Sequence, residues 1–257
     1  MCVVNFVDPN RLLNHRRYRV PSEARPADDT AQRRLRRIVL TGGPGSGKST
    51  AASFLAREFT DELWVLPESA TLLYKGGLPR ATTDRGQQVA QRAIYTVQRS
   101  LEEATALQHP SRVQLCDRAT VDGAAYWPDG ADSFFRTLGT SRERELGRYD
   151  AVVFMHTAAL LPAGYERDME VRTEDRELAI DLDRRMFDLY ADHPRLVAID
   201  SHASFLDKLT TVRNAVAGLL EGFEAEARLE VLAPEPEAPL SSLMGLSSVQ
   251  HVLPVAD

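Results

Sequence analysis

The chain has 257 residues, of which 43% are hydrophobic and 26% charged; that suits a folded domain of about 190 residues plus tails, or at most two small domains. A formal net charge of −6 and a pI near 5.6 argue against nucleic acid as the main partner. Two cysteines, Cys2 and Cys116, make neither a disulfide framework nor a metal site. No apolar run approaches the ~20 residues of a membrane span, and the N-terminus lacks the apolar core of a signal peptide, so a cytoplasmic location is expected.

In chain order, residues 1–35 are polar and arginine-rich (Arg16, Arg17, Arg19, Arg25, Arg33, Arg34), with Asp8, Glu23, Asp28 and Asp29 between them. They read as a solvated, disordered arm. The acids argue against a transit peptide, and an arm that binds an anionic surface is the competing reading. A folded domain is expected over 36–222. It opens with Arg37-Ile38-Val39-Leu40-Thr41, a β-branched segment predicting a buried strand.

The glycine-rich run Gly42-Gly43-Pro44-Gly45-Ser46-Gly47-Lys48-Ser49-Thr50 follows, and then Ala51 to Glu58 with helical character. Strand, loop and helix in this order satisfy the phosphate-loop pattern G-x-x-x-x-G-K-[ST]. Glycines let the backbone close around phosphates, and the helix N-terminus adds partial positive charge. Lys48 is expected to reach the β- and γ-phosphates and the Ser49 hydroxyl to ligate Mg²⁺. A dinucleotide-binding G-x-G-x-x-G does not fit, because counting from Gly43 and Gly45 its last glycine is replaced by Lys48.

Further strands are predicted at 63–67, 112–116, 150–156 and 195–199. Between them, Val89, Ala93, Val97, Leu101 and Ala104 recur at helical spacing within 84–107. Leu178, Leu182, Met186 and Leu189 do so within 174–192, and a last helix is opened by Ser204 and runs to about 221. Alternating strands and helices predict a three-layer α/β/α domain with a five-stranded parallel sheet, of the P-loop NTPase class. Cys116 is expected to be a small buried hydrophobe. Residues 223–257, with Ala233-Pro234-Glu235-Pro236-Glu237-Ala238-Pro239, read as a disordered tail. A weak partner of the tails is a further expectation.

Ligands of such sheets bind beyond the C-terminal ends of the strands. The second strand ends at Pro67-Glu68-Ser69-Ala70; Glu68 either faces the reacting phosphate as a general base or is a helix-start carboxylate favoured by the dipole. The third ends at Cys116-Asp117-Arg118, apolar residues followed by an acid that contacts Mg²⁺ directly or through its outer shell. Arg118 suits a bidentate grip on phosphate. Asp122, Tyr126 and Trp127 either line an acceptor pocket or form a surface helix over a buried aromatic. Arg167 and Arg172, in a polar segment after the fourth strand, suggest a lid that closes over phosphates, against the alternative of a solvated charge cluster. Gln87, Gln88 and Gln91 are candidates for reading a base or amide edge, or are solvent-facing.

Gly42–Thr50, the Pro67-Glu68-Ser69-Ala70 tip, Asp117-Arg118, Asp122 to Tyr126 and the Arg167/Arg172 segment together resemble a family of AAA-type ATPase domains. That family includes the nicotinamide riboside kinase domain of NadR-type proteins and a TRPL-translocation-defect protein. The resemblance spans roughly 36–220 and extends, more distantly, to thymidylate and deoxynucleoside kinases. It implies a nucleoside-kinase-like domain using ATP and Mg²⁺. Glu68 would be the base, Asp117 and Arg118 the substrate and phosphate residues, and Arg167 and Arg172 the lid arginines.

Two functions remain open from the sequence. One is Mg²⁺-dependent phosphoryl transfer from ATP to an unknown small nucleoside-like or other hydroxyl acceptor. The other is a regulatory ATP- or GTP-binding switch with slow hydrolysis and a protein or lipid partner. A guanine-selective Asn-Lys-x-Asp motif is absent, which disfavours a Ras-like GTPase. A ring-forming motor is disfavoured because the chain lacks room for a helical lid subdomain.

Overall fold

A computed structural model describes residues 35–161, 175–201 and 204–232. Five strands, β1 (Arg37–Thr41), β2 (Leu63–Leu66), β3 (Val113–Asp117), β4 (Ala151–Met155) and β5 (Leu196–Ile199), form one sheet in the order β2-β3-β1-β4-β5. Every pairing is parallel. All five strands fall within a residue of their predicted bounds, because short apolar runs flanked by polar turns have few alternative readings.

The pleat sends alternate side chains to opposite faces, and each face has its own core. Ile38, Leu40, Leu115, Val153 and Met155 pack under α1 (Lys48–Glu58) through Ala51, Ala52 and Leu55. The same face is covered by α7 (Phe205–Leu232) through Val212, Val216, Leu220 and Phe223. On the other face Val39, Cys116, Val152 and Phe154 meet Phe134 and Phe135 of α4 (Ala131–Thr137), and Met186, Leu189 and Tyr190 of α6 (Arg176–Tyr190). This is the expected three-layer arrangement, with Cys116 fully buried.

The remaining described α-helices are α2 (Ser69–Lys75), α3 (Asp84–Gln108) and α5 (Arg142–Leu146), and short 3₁₀ turns span Asp122–Tyr126 and Ala158–Leu160. Thr83 Oγ1 caps α3 by accepting from Gly86 N at 3.1 Å, and Asp175 caps α6 by accepting from Leu178 N at 2.8 Å.

Two helices depart from the sequence reading. The apolar stripe assigned to α3 is only partly buried: Leu101 packs against the core but Val89 is 48% exposed, and the fully buried positions are Ala90, Gln91, Gln98, Glu102 and Thr105. That face is polar because it enters a hydrogen-bond network. Ser69 Oγ donates to Gln98 Oε1 (2.6 Å), and Gln98 Nε2 (3.0 Å) and Tyr149 Oη (2.8 Å) both donate to Glu102 Oε1. Arg148 pairs with the other Glu102 oxygen. Helix α7 runs to Leu232 instead of about 221. Its extension is held by Phe223, buried in the core with the Arg36 and Arg195 guanidinium groups 5.2 and 5.7 Å from its ring.

Candidate functional site

The register pairs Leu40 with Asp117 and Thr41 with Phe154, so the loop leaving β1 emerges between the tips of β3 and β4. Gly42 turns there with φ +137°, and a Cβ on it would stand 1.9 Å from Met155 O; only glycine fits. Gly47 caps α1 with φ +90° and no side chain supplies a cap hydrogen bond, nor is there an acid in the first turn. Among the described residues no side chain accepts from the first-turn N–H groups, which is the arrangement a helix offers to an anion.

Lys48 begins α1 and is buried. Its Nζ donates to Gly42 O and Gly43 O at 2.8 Å each and to Ser46 Oγ at 3.0 Å. Burial, aided by the Arg118 charge, pushes the ammonium down to about 7, against the pull of Asp117, Glu68 and Asp122. Ser49 and Thr50 are exposed.

The tips of β2 and β3 bring Glu68 and Arg118 together, with Arg118 Nε donating to Glu68 Oε1 at 2.6 Å. Thr71 Oγ1 donates to Glu68 Oε2 at 2.5 Å. Burial raises the Glu68 pKa, but Arg118, Thr71 and Lys48 overcome it and hold the carboxyl below its usual range. Among the described residues Arg118 is the one non-glycine with a left-handed backbone, φ +69°, a conformation that costs about 1–3 kcal/mol. Its surroundings hold it there: Arg118 N donates to Leu40 O (3.0 Å) and Ala119 N to Asp122 Oδ2 (2.7 Å).

Asp117 is buried, and its Oδ1 has no hydrogen-bond partner among the described residues. Burial, then the Glu68 charge, raises its pKa, while Lys48, Arg118 and a hydrogen bond with Ser49 oppose the rise. An orphaned carboxylate oxygen beside an exposed serine hydroxyl fits a divalent cation or its hydration water. Ser49 and Asp117 are therefore the residues that would hold Mg²⁺. Among the described residues no group of three or more His, Cys, Asp or Glu side chains is placed to hold a metal ion.

Of the residues expected to line an acceptor pocket, Trp127 is in the core, its ring 5.4 Å from that of Phe134. Asp122 is a buried support: it accepts from Thr41 Oγ1, Ala119 N and Tyr190 Oη, and pairs with Arg118 at 3.4 Å. Tyr126 lies 5.9 Å from the Arg118 guanidinium. Gln88 donates to Asp129 (2.7 Å), and Gln91 is buried beside Gly123; Gln87 is half-buried. Arg167 and Arg172 lie outside the described residues.

Sequence reasoning missed Asp183 and Lys208. Buried on α6, Asp183 accepts from Gly43 N (2.9 Å) and Thr157 N (2.8 Å) and is hydrogen-bonded to His156 Nδ1 (2.7 Å). Lys208 of α7 donates to His156 O at 2.5 Å, and burial pushes it down to about 8 against the attraction of Asp183. Thr157 Oγ1 donates to Pro44 O. The outer wall of the loop is thus tied to β4, α6 and α7. The sequence signal was present but faint: an acid at the core-facing turn of an amphipathic helix, next to Leu182.

A parallel sheet whose first strand feeds a glycine loop, a buried lysine and a helix N-terminus, with an acid at the tip of the adjacent strand, defines a P-loop nucleotide-binding domain. Comparison with protein families agrees: the model described as an AAA domain matches residues 37–208, about two thirds of the chain, and the chain belongs to that family. Comparison with curated proteins returns no match. None of the described helices is long and apolar enough to cross a membrane.

Proposed function

We propose that the protein catalyses Mg²⁺-dependent phosphoryl transfer from ATP to the hydroxyl of a small nucleoside-like or other metabolite. The observation that carries this reading is Glu68: a carboxylate kept ionised by Arg118, on the strand tip beside Asp117, and close enough to Lys48 for the two charges to interact. An ionised carboxylate there suits removal of the acceptor proton. The combination of Pro67-Glu68-Ser69-Ala70 with Asp117-Arg118 also supports the nucleoside-kinase type within the family.

In this reading the loop N–H groups and Lys48 bind the triphosphate, and a proton raises Lys48 to its charged form as phosphate arrives. Mg²⁺, when bound, supplies charge neutralisation at the β- and γ-phosphates. Ser49 would ligate it, Asp117 would contact it directly or through its outer shell, and Glu68 would accept the hydroxyl proton. Arg118 orients Glu68 through its Nε hydrogen bond and would add positive charge beside the transferring phosphoryl group. Arg167 and Arg172 would add charge from the lid. The test is Mg·ATP turnover by purified protein with a panel of ribonucleosides, deoxynucleosides and nicotinamide riboside, scored by phosphorylated product.

One observation favours a second reading, a regulatory switch with slow hydrolysis and a tail-bound partner. Both Glu68 oxygens are already engaged, by Arg118 and by Thr71, which weakens a base. Nucleotide-dependent affinity for a partner, with no acceptor-dependent ADP release, would establish that reading instead.

A further inference from the structure

The phosphate loop divides the C-terminal edge of the sheet into halves of unlike chemistry. On the β3–β2 side stand the charged groups Asp117, Arg118 and Glu68. On the β4–β5 side stands an aromatic ring. Phe205, the first residue of α7, is 43% exposed. Its Cε2 lies 2.4 Å from where a Cβ on Gly47 would stand, so the ring rests on the loop backbone.

Phe205 begins the apolar stripe of its helix: Leu209, Val212, Val216, Leu220 and Phe223 follow at helical spacing and go into the core. Phe205 overshoots that core. A ring placed only to pin α7 against the loop would be expected to bury itself. The residue is instead 43% exposed, and Leu206 beside it is also exposed. The loop also fixes a direction. Asp117 at the tip of β3, next to the loop strand, and the Arg118–Glu68 pair that joins the β3 and β2 tips mark the end where phosphoryl chemistry would occur, so the other end of a bound nucleotide is directed toward β4 and β5.

We propose that Phe205 is the stacking platform for the base of the nucleotide held by the loop. The proposal rests on the nucleotide-binding reading above and adds the residue that engages the base. Stacking on an aromatic face tolerates different bases, because each has a π-face.

The test uses the full chain. Mg·ATP, Mg·GTP and Mg·tripolyphosphate, which has the phosphates and no base, are titrated into wild type, Phe205→Ala, Phe205→Leu and Phe205→Trp. Loss of a stacking platform is expected to weaken ATP and GTP about 5- to 100-fold in Phe205→Ala, leave tripolyphosphate binding unchanged, and be restored in Phe205→Trp. Phe205→Leu, which retains apolar packing on Gly47, is expected to show the same selective loss if Phe205→Ala fails to fold. Equal losses for ATP and tripolyphosphate, or no loss at all, would overturn the stacking role while leaving nucleotide binding intact. Failure of wild type to bind both ATP and tripolyphosphate would overturn the nucleotide reading itself, and the stacking role with it.

Discussion

Lys48 is buried on the inner wall of a loop shaped for anions, where its charge is costly until phosphates arrive. Lys48→Ala removes both a buried cation and the expected phosphate contact, so Mg·ATP binding should disappear while the fold persists; calorimetric titration alongside circular dichroism checks both. Glu68→Gln keeps the size of the side chain and deletes the base. Turnover should fall roughly 10²- to 10⁴-fold, the usual range for a lost general base, with ATP affinity within a few-fold; unchanged turnover would return Glu68 to a helix-start role. The pH dependence has a definite sign. Because the folded pKa of Glu68 is lowered, the ionised carboxylate and its contribution to stability are present above the ordinary carboxylate pKa and are lost as pH falls through the folded value. Arg118→Gln removes the main force opposing burial, so the acid limb of kcat/KM should move toward neutral pH. A limb that stays in place would separate Glu68 from catalysis. Lys48 and Ser49 were legible because the phosphate-loop pattern specifies positions within one short segment. Whether Glu68 met Arg118 was not legible, because 50 residues separate them and only the β2–β3 pairing joins their strands.

At the scale of elements, the loop is braced from outside by α6 and α7. Asp183→Ala would leave the N–H groups of Gly43 and Thr157 without their buried acceptor, at a cost of about 2–4 kcal/mol. Thermal unfolding should show the loss, and Mg·ATP affinity should weaken because Gly43 belongs to the loop. Phe223→Ala, far from the loop on the same helix α7, should cost about 3–5 kcal/mol as a core truncation and leave nucleotide affinity unchanged in protein that remains folded. Strand bounds were legible as apolar runs, whereas the buried face of α3 was not. Periodicity counts apolar residues, and α3 buries Gln98 and Glu102 because Ser69, Tyr149 and Arg148 supply partners from distant segments. Asp183 escaped notice for the same physical reason: a buried acid is recognisable only once its donors are in place.

At the scale of the whole molecule, the order β2-β3-β1-β4-β5 puts the P-loop strand between an acidic strand tip and the segments that carry Thr157 and Phe205. The class of domain was therefore legible from one motif and the alternation of elements, and the matched family agrees. The acceptor was not legible, since Trp127 and Asp122, the residues nearest to a pocket-lining reading, serve the core and the Arg118 turn. The measurement that tests the central claim most directly is ADP release from Mg·ATP with and without the acceptor panel, paired with detection of phosphorylated product. The account predicts turnover that requires one acceptor and yields its phosphorylated form, lost in Glu68→Gln. Tight ATP binding with ADP release indifferent to every acceptor would contradict it and favour the switch.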